Sequence, residues 1–295
     1  MNPPRPWLSI VIPSYNRPDL LARCLGSVVR HAPNNTEVIV VDDGSPGATV
    51  SETASRFAGV HTVRHAKNQG FCVAANRGLR LARGDVVELL NDDAFVTEGW
   101  AEPALRAFDD PTVGAVAPLV LMADRDVIDS AGDEYDEGGF ARKRGHGCRP
   151  GVEHLRRREV FGASGSSAFY RRSAFERVGH FPEEFGSYFE DVDLAWRLNK
   201  AGYRTIYEPE SVVRHGVGCS HGTRRRRLLL TQSRNEERVY LRHVSGKRGR
   251  HAAVLAGKAL RRIREGDLTP WLFGRLGAWL ELLKAPALRS SGTAN

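Results

Sequence analysis

The stretch that decides the fold is residues 8–43, LSIVIPSYNRPDLLARCLGSVVRHAPNNTEVIVVDD. It opens with a short β-branched run, continues with apolar residues at helical spacing over residues 18–30, and closes with a second β-branched run. A strand, a helix and a strand in this order predict a parallel pair with a right-handed crossover. Because the pattern repeats to about residue 120, the sequence predicts an α/β fold, a mainly parallel sheet flanked by helices on both faces.

The ends of the predicted strands are candidates for a binding site, because such sheets bind ligands beyond the carboxyl ends of their strands. The residues at these ends are Pro13, Ser14 and Tyr15 after strand one, Asp42 and Asp43 after strand two, and Asn91, Asp92 and Asp93 after strand four. The turn after strand one, PSYNRPD, lacks G-x-G-x-x-G, and the sequence has no P-loop. Phosphate is therefore expected to be neutralised by a divalent metal, Mg²⁺ or Mn²⁺, held by the strand-four carboxylates.

Composition and charge bound the class of protein. A chain of 295 residues with 41% hydrophobic residues can bury a sizeable core. Four widely separated cysteines, Cys24, Cys72, Cys148 and Cys219, suggest reduced thiols in a cytosolic protein. We expect neither an export signal nor a membrane span. The net charge of +8 is concentrated in residues 224–264, which could meet nucleic acid, anionic lipid or phosphorylated substrate.

Six segments taken together resemble family-2 glycosyltransferases with the GT-A fold. They are SIVIPSYNRPDLLARCLGSV, VIVVDDGS, KNQGFCVAANRGL, VELLNDDAFV, VFGASGSSAFYRRSAFERVGHFPEEFGSYFEDVDLAWRLNKAGYR and VVRHGVGCS, and they span residues 8–221. The resemblance is greatest to bacterial rhamnosyl- and galactofuranosyltransferase-type members. It implies a catalytic domain over residues 1–222, with a nucleotide-binding half (about 1–120) and an acceptor-side half (about 121–222), followed by a basic helical region over 223–295.

The resemblance implies a nucleotide site at the strand ends. Asp43 is expected to accept the N3 proton of a uracil or thymine ring, Pro13 and Tyr15 to lie beside that ring, and Asp92 to contact the ribose. Asn68, Gly70 and Asn76 fall in the segment that lines the nucleotide pocket, and a helix start there would present free N–H groups. The structural alternatives are an Asx-capped turn at Asp42 and Asp43 and an ordinary helix start after Gly70.

The resemblance also assigns the metal and the base. Asp93 and His215 are expected to ligate the cation, although Asn91 replaces the first acid of the D-X-D motif. Asp191 is expected to be the base that deprotonates the acceptor. Glu190 is expected to orient Asp191 or the acceptor, and Ser164, Gly165 and Ser166 to leave room for the acceptor. The alternative for the acidic cluster Glu190, Asp191 and Asp193 is a first helical turn that complements the helix dipole.

These expectations describe an inverting glycosyltransferase that moves a sugar from a dTDP- or UDP-linked donor to a saccharide or lipid-linked saccharide. The alternatives are a non-catalytic scaffold of the same fold and a basic nucleic-acid-binding protein. Residues 127–147, rich in Gly and charge, predict a hairpin or mobile flap over the donor, or a purely structural excursion. Near the C-terminus, Trp271, Leu272, Leu276, Trp279, Leu280 and Leu283 share one helical face, with Arg275 at its flank. That face suits either peripheral contact with the inner face of the membrane or packing on protein, in the same chain or in an oligomer.

Overall fold

The fold is known from a computed structural model, which describes residues 7–216, 225–244 and 248–284. The chain divides into two compact units. The sheet unit comprises Met1–Glu134 and Arg142–Ser220, and the helical unit comprises Tyr135–Ala141 and His221–Asn295. The boundary expected at residue 222 lies outside the described residues, as do Cys219 and Arg224.

The described elements agree closely with the predicted alternation. The strands are β1 (Leu8–Ser14), β2 (Thr36–Asp42), β3 (Val60–Arg64), β4 (Val86–Leu90), β5 (Ala94–Val96), β6 (Val113–Met122), β7 (Ile128–Ser130), β8 (Asp133–Tyr135), β9 (Ala141–Lys143), β10 (Arg158–Val160), β11 (Ser167–Arg171) and β12 (Arg204–His215). The α-helices are α1 (Pro18–His31), α2 (Thr49–Ala54), α3 (Phe71–Leu81), α4 (Ala101–Ala107), α5 (Arg172–Val178), α6 (Glu190–Lys200), α7 (Arg225–His243), α8 (Arg248–Glu265) and α9 (Leu268–Lys284).

The main sheet has the strand order β10-β12-β6-β11-β4-β1-β2-β3. As predicted, β1 pairs in parallel with β2 and β4, and β2 pairs in parallel with β3. The register places Ser14 opposite Asp42, so the ends of β1 and β2 lie side by side. The one strand inserted between β4 and β6 is β11, which is antiparallel to both. The result is a mixed sheet whose ligand-binding edge is built from the parallel strands.

The core forms where helices cover the sheet. The helix α1 buries Leu21, Leu25 and Val28, which lie at helical spacing, and burial of each such side chain contributes about 1.5–3 kcal/mol. The helix α3 approaches the sheet closely at Gly78, where a Cβ would lie 2.3 Å from the Val11 Cγ1 atom. Any larger residue at Gly78 would therefore push α3 away from β1, and the site residues carried by both elements would move apart.

A buried carboxyl group lies within the sheet at Glu88 of β4. It accepts hydrogen bonds from Trp100 Nε1 (3.1 Å) and Ser167 Oγ (2.9 Å). Burial raises the pKa of Glu88 to about 8, against these two hydrogen bonds, so Glu88 keeps its proton near neutral pH. This polar contact ties β4 to α4 and β11 without placing a charge in the core.

In the helical unit, residues 135–141 pack with α7 and α8, which the sequence did not predict. The imidazole of His251 stacks on Tyr240 (ring centroids 3.5 Å apart) and on Phe140 (5.2 Å). Its Nδ1 atom lies 2.6 Å from the carbonyl oxygen of Gly138. Lys258 Nζ lies 3.3 Å from the centre of the Phe140 ring. These contacts bury the tip of the β8–β9 hairpin, so within this unit the tip is held rather than loose.

The prediction of one apolar face on α9 is only partly correct. Leu272, Leu276, Trp279, Leu280 and Leu283 are exposed, but Trp271 is buried. Arg275 is also buried, where it pairs with Glu236 and Glu237 instead of flanking the exposed face. The reason is Gly274: a Cβ there would lie 2.4 Å from the Leu230 carbonyl oxygen, so α9 crosses α7 closely at this point and turns its neighbours inward. In the described parts of the chain, every helix is too short or too polar to cross a bilayer.

Candidate active site

The ends of β1 and β4 meet as the strand pattern predicts. Ser14 Oγ donates to Asp92 Oδ2 (2.7 Å). The Arg17 Nη1 atom lies 3.4 Å from Asp92 Oδ1 and 3.2 Å from Asp93 Oδ2. Burial raises the pKa of Asp92 to about 6, against the Ser14 hydrogen bond and the charge of Arg17. Two carboxylates and a guanidinium group therefore share this edge of the sheet, a distribution suited to a ligand with both phosphate and hydroxyl groups.

The two acids of the DDG turn differ in their surroundings. Asp42 is fully buried and accepts hydrogen bonds from Ser51 Oγ (2.6 Å), Ser45 N (2.8 Å) and Arg64 Nη1 (2.6 Å), so it holds the turn together. Asp43 Oδ1 contacts His65 Nδ1 (2.9 Å) and the Gln69 N–H, while Asp43 Oδ2 accepts from the Gly70 N–H (2.8 Å). An ionised carboxylate has about four acceptor positions, so these contacts leave one position on Asp43.

Gly44 fixes this turn against the following segment. Its φ is +75°, and a Cβ would lie 2.4 Å from the carbonyl carbon of Lys67. No side chain fits there, so only glycine allows Asp43 to lie against residues 65–70. The resulting pocket edge is open: Tyr15 is 42% exposed, and Asn68 is also exposed. Pro13 is buried within β1 and fixes the path of the chain into the Tyr15 turn.

Backbone N–H groups at the start of α3 already have acceptors, whereas we expected free N–H groups there. The Cys72 N–H donates to the Gly186 carbonyl (3.0 Å), and the Gly70 N–H donates to Asp43. Asn76 is buried, with its Nδ2 donating to the Phe181 carbonyl (2.8 Å) and its Oδ1 accepting from the Phe181 N–H (3.0 Å). The amide of Asn76 therefore holds residues 181–186 against α3 in this structure, where the sequence suggested contact with a nucleotide.

Asp93 and His215 are brought together by strand pairing. The β5–β12 register places His215 opposite Ala94, next to Asp93, and the Gly216 N–H donates to the Asp93 carbonyl (2.8 Å). His215 Nε2 lies 3.1 Å from Asp93 Oδ1. That oxygen is buried and accepts no well-aligned hydrogen bond from any described residue. Burial lowers the pKa of His215, but the hydrogen bond to Asp129 and the negative charges of Asp93 and Asp129 outweigh it and raise the pKa overall.

The Asp93–His215 pair fits two neighbouring ligands of one cation. Two ligand atoms that lie about 2.1 Å from an octahedral ion are about 3 Å apart. Within the residues that the structure describes, no group of three or more His, Cys, Asp or Glu side chains is assembled for a metal. A cation at this pair would therefore take its remaining ligands from water and substrate phosphate, as Mg²⁺ and Mn²⁺ sites commonly do.

Asp191 lies at the start of α6, after an unusual backbone turn. Tyr188 and Phe189 both adopt left-handed backbone angles (φ 71° and 69°), which cost about 1–3 kcal/mol each in non-glycine residues. The turn points Asp191 toward the chain before β11, where its Oδ2 accepts from the Gly165 N–H (2.8 Å). Its Oδ1 accepts from the Val192 N–H (2.8 Å). Both oxygens are therefore oriented by backbone donors.

The pKa values of the two adjacent acids are both raised above their usual range. Burial, with the charge of Asp191, raises the pKa of Glu190 to about 8. Burial also raises the pKa of Asp191, but the Gly165 and Val192 N–H groups oppose that rise. Glu190 therefore keeps its proton near neutral pH, and the two backbone donors favour the ionised form of Asp191. An ionised, oriented carboxylate beside a protonated one can serve as a general base.

The other predicted acceptor-side residues line the same region. Ser164 and Ser166 are buried, with their hydroxyl oxygens 3.2 Å apart. A Cβ at Gly165 would lie 3.3 Å from Asp191 Oδ2, so the glycine leaves this carboxylate oxygen accessible. Asp193 pairs with Arg197 (2.9 Å) along the helix, as expected for a residue of the first turn.

Sequence reasoning missed Asp129, Asp133 and Lys143, which lie in the stretch read as a flap or excursion. Lys143 Nζ lies 2.9 Å from Asp129 Oδ2, and that same oxygen lies 3.0 Å from His215 Nδ1. Asp133 is buried, and burial together with the charge of Asp191 raises its pKa well above the usual range. The sequence signal for these residues was the pair of acids four residues apart in DSAGD. It was not sufficient, because the side chains that these acids contact lie on strands far away in the sequence.

Comparison with known proteins identifies the family of this chain. The family model described as glycosyl transferase family 2 matches residues 9–179. The pre-mycofactocin glycosyltransferase of Mycobacterium tuberculosis is 34% identical over 70% of this chain and 42% of its own length. The N-acetylglucosaminyl-diphospho-decaprenol L-rhamnosyltransferase of the same species is 30% identical over 73% of this chain and 78% of its own. The O-antigen chain rhamnosyltransferase RfbN of Salmonella typhimurium is 28% identical over 70% and 66%.

Solved structures share the fold. GalNAc-T7, crystallised with UDP, GalNAc and Mn²⁺, aligns with a TM-score of 0.66 at 18% identity over 84% of this chain and 50% of its own. The mannosyltransferase PcManGT of Pyrobaculum calidifontis, with GDP-Man and Mn²⁺, aligns with a TM-score of 0.59 at 20% identity over 95% and 87%. The sheet therefore has the GT-A fold of these structures. The chain belongs to glycosyltransferase family 2, and the predicted fold and family are confirmed.

Proposed function

We propose that the enzyme is an inverting, metal-dependent glycosyltransferase of cell-wall or polysaccharide biosynthesis. It would transfer a sugar such as rhamnose from a dTDP- or UDP-linked donor to a hydroxyl of a saccharide or lipid-linked saccharide. The observation that carries the proposal is Asp191, whose two carboxylate oxygens are oriented by the Gly165 and Val192 N–H groups next to the buried carboxyl group of Glu190. The rhamnosyltransferase relatives, one of them named for a decaprenyl diphosphate-linked acceptor, support the donor and acceptor classes.

In this mechanism Asp191 takes the proton of the acceptor hydroxyl as that oxygen bonds to the anomeric carbon. The bond to the nucleoside diphosphate breaks on the opposite face, so the configuration inverts without a covalent intermediate. Gly165 and Val192 hold Asp191 in place during this step. A divalent cation bound by Asp93 and His215 would stabilise the negative charge of the departing diphosphate.

The donor would be held by the strand ends. Asp43 has one acceptor position left for the N3–H of uracil or thymine, with Tyr15 beside the ring and Asn68 at the rim of the pocket. Asp92, fixed by Ser14 and Arg17, would accept from the ribose hydroxyls. Gly70 places its N–H on Asp43, so its contribution would be to fix that carboxylate.

A panel of nucleotide sugars tests this function. We expect divalent-dependent binding, seen as a thermal shift, and nucleoside-diphosphate release with at least one dTDP- or UDP-linked sugar when acceptors are supplied. Donor binding without release across all acceptors would favour the non-catalytic scaffold. Salt-sensitive binding of DNA or RNA without any nucleotide-sugar binding would favour the nucleic-acid-binding alternative.

We also propose that the helical unit binds the membrane surface peripherally, which would bring the enzyme to lipid-linked acceptors. Residues 221–295 carry 17 Lys and Arg against 5 Asp and Glu, a net charge of +12, while residues 1–220 carry −4. On α9 the exposed apolar residues include Phe273 as well as Leu276 and Leu280, and α8 exposes Leu260 and Ile263. Apolar side chains beside an excess of positive charge suit an anionic bilayer. A cytoplasmic location stays a prediction based on the cysteines.

The triple variant Phe273→Gln, Leu276→Gln, Leu280→Gln is expected to lower binding to anionic vesicles by about 10-fold or more, because it removes apolar groups that enter the interface. Co-sedimentation at low and high salt measures this. The matched control is Val152→Gln, Leu155→Gln, which removes exposed apolar residues from the sheet unit. Unchanged vesicle binding would reject the membrane contact of this face, and dissociation of an oligomer seen by light scattering would show that the face packs on protein instead.

A further inference from the structure

Asp129 is a buried carboxylate that the proposed reaction does not use directly. It lies in β7, which pairs with β6, while His215 ends β12, which pairs with β6 as well. Asp129 Oδ2 lies 3.0 Å from His215 Nδ1 and 2.9 Å from Lys143 Nζ. His146 Nδ1 lies 2.8 Å from the Asp129 carbonyl oxygen and 3.4 Å from Asp129 Oδ1. Three basic side chains therefore surround one buried carboxylate.

These contacts determine which ring nitrogen of His215 is available to bind a ligand. A carboxylate at Nδ1 keeps the proton on that nitrogen and leaves Nε2 as the nitrogen for a ligand. His215 Nε2 lies 3.1 Å from Asp93 Oδ1, the buried oxygen without an aligned donor. The ring is thus held at one nitrogen by Asp129 and points the other at Asp93.

Lys143 is the charged partner of Asp129. It pairs with the same carboxylate oxygen that contacts His215. The Lys143 side chain is partly exposed, whereas Asp129 is buried, so Lys143 supplies the charge that a buried carboxylate needs. The carboxylate is therefore a stable acceptor for the Nδ1–H of His215.

We propose that Asp129 is a positioning residue that, supported by Lys143, holds His215 in the orientation and tautomer required to bind the cation at Asp93. The proposal rests on the proposed metal-dependent function. It gives Asp129 and Lys143 a role in the metal site. Asp129 itself touches neither substrate nor cation in this assignment.

The test is Asp129→Asn, a change of charge with little change of shape. We expect the affinity for Mn²⁺ to fall about 10- to 100-fold. The electron paramagnetic resonance signal of free Mn²⁺ measures this affinity, without nucleotide or sugar in the sample. In metal-free protein labelled with ¹⁵N-histidine, the ring nitrogen shifts of His215 should move toward a mixture of tautomers. The matched control is Asp126→Asn, an exposed acid in the same region that pairs with Arg214 (2.8 Å) and should change neither readout.

A second variant tests the proposal if Asp129→Asn fails to fold. Lys143→Met alters a partly exposed side chain and should weaken Mn²⁺ binding in the same direction, by about threefold or more, with the melting temperature of the wild type retained. Mn²⁺ affinity within twofold of wild type in folded variants, with unchanged His215 shifts, would overturn the proposal. Absence of Mn²⁺ binding by the wild type, alone and with nucleoside diphosphate, would refute the metal dependence of the proposed function instead, while the ¹⁵N shifts would still decide whether Asp129 fixes the tautomer.

Discussion

Asp191→Asn is expected to lower the rate of sugar transfer by about 10²- to 10⁴-fold while donor affinity stays near the wild-type value. The amide can still accept one of the two backbone hydrogen bonds that orient Asp191, but it cannot take the acceptor proton. Single-turnover transfer with a confirmed donor and acceptor measures the loss, and a thermal shift with donor alone measures the binding. Near-normal turnover would reject Asp191 as the base.

Glu190→Gln is the matched control for this prediction. Because Glu190 keeps its proton near neutral pH, glutamine resembles its native state, and transfer should change far less than in Asp191→Asn. The pH dependence has a definite sign: Asp191 must be ionised to act, so the rate should fall as pH falls through its raised pKa. A large loss in Glu190→Gln together with a small loss in Asp191→Asn would exchange the roles of the two acids.

Asp93→Ala is expected to weaken divalent-dependent nucleoside-diphosphate binding by about 100-fold or more, since it removes one of only two protein ligands proposed for the cation. His215→Ala should weaken the same binding to a smaller degree, because the substrate phosphates keep their own contacts to the metal. Calorimetric titration of nucleoside diphosphate with and without Mn²⁺ separates the metal-dependent part.

The control for Asp93→Ala is Asp124→Ala, which removes an exposed acid of the sheet unit. Unchanged Mn²⁺-dependent binding in Asp93→Ala would defeat the metal assignment. Equal loss with and without Mn²⁺ would point to the contact between Asp93 and Arg17 as the important one, because removing Asp93 also frees that guanidinium group from one of its carboxylates.

The sequence predicted the parallel half of the fold because its information is local. In β1, α1 and β2 the periodicity, the turns and the register all lie within about 35 residues, and the structure follows them. The position of β11 was beyond such reasoning, since its partners β4 and β6 are fixed by contacts far away in sequence. A strand of five residues carries no signal for its direction in the sheet.

The same distinction between local and distant contacts decides which residues of the candidate site could be predicted. Strand ends are visible in sequence, so Asp92 and Asp93 could be placed at one edge without coordinates. Asp129 could not be placed, because its contact with His215 joins residues 86 positions apart through two separate strand pairings. Asn76 shows the converse: its motif suggests a ligand, but its amide bonds to Phe181, 105 positions away. On α9, periodicity identified an apolar stripe but not the depth of the crossing at Gly274.

The seven residues Tyr135–Ala141 belong to the helical unit but lie within the sequence of the sheet unit. This order affects when the parts of each unit are synthesised. The chain leaves the sheet unit at Glu134 and returns at Arg142, so Phe140 emerges from the ribosome about 110 residues before His251, on which it stacks. At about 5–20 residues per second the hairpin tip waits roughly 5–20 s with its aromatic ring uncovered. During that interval the Phe140 ring lacks the partner that it has in the folded protein, and a fragment that stops near residue 220 would lack that partner permanently.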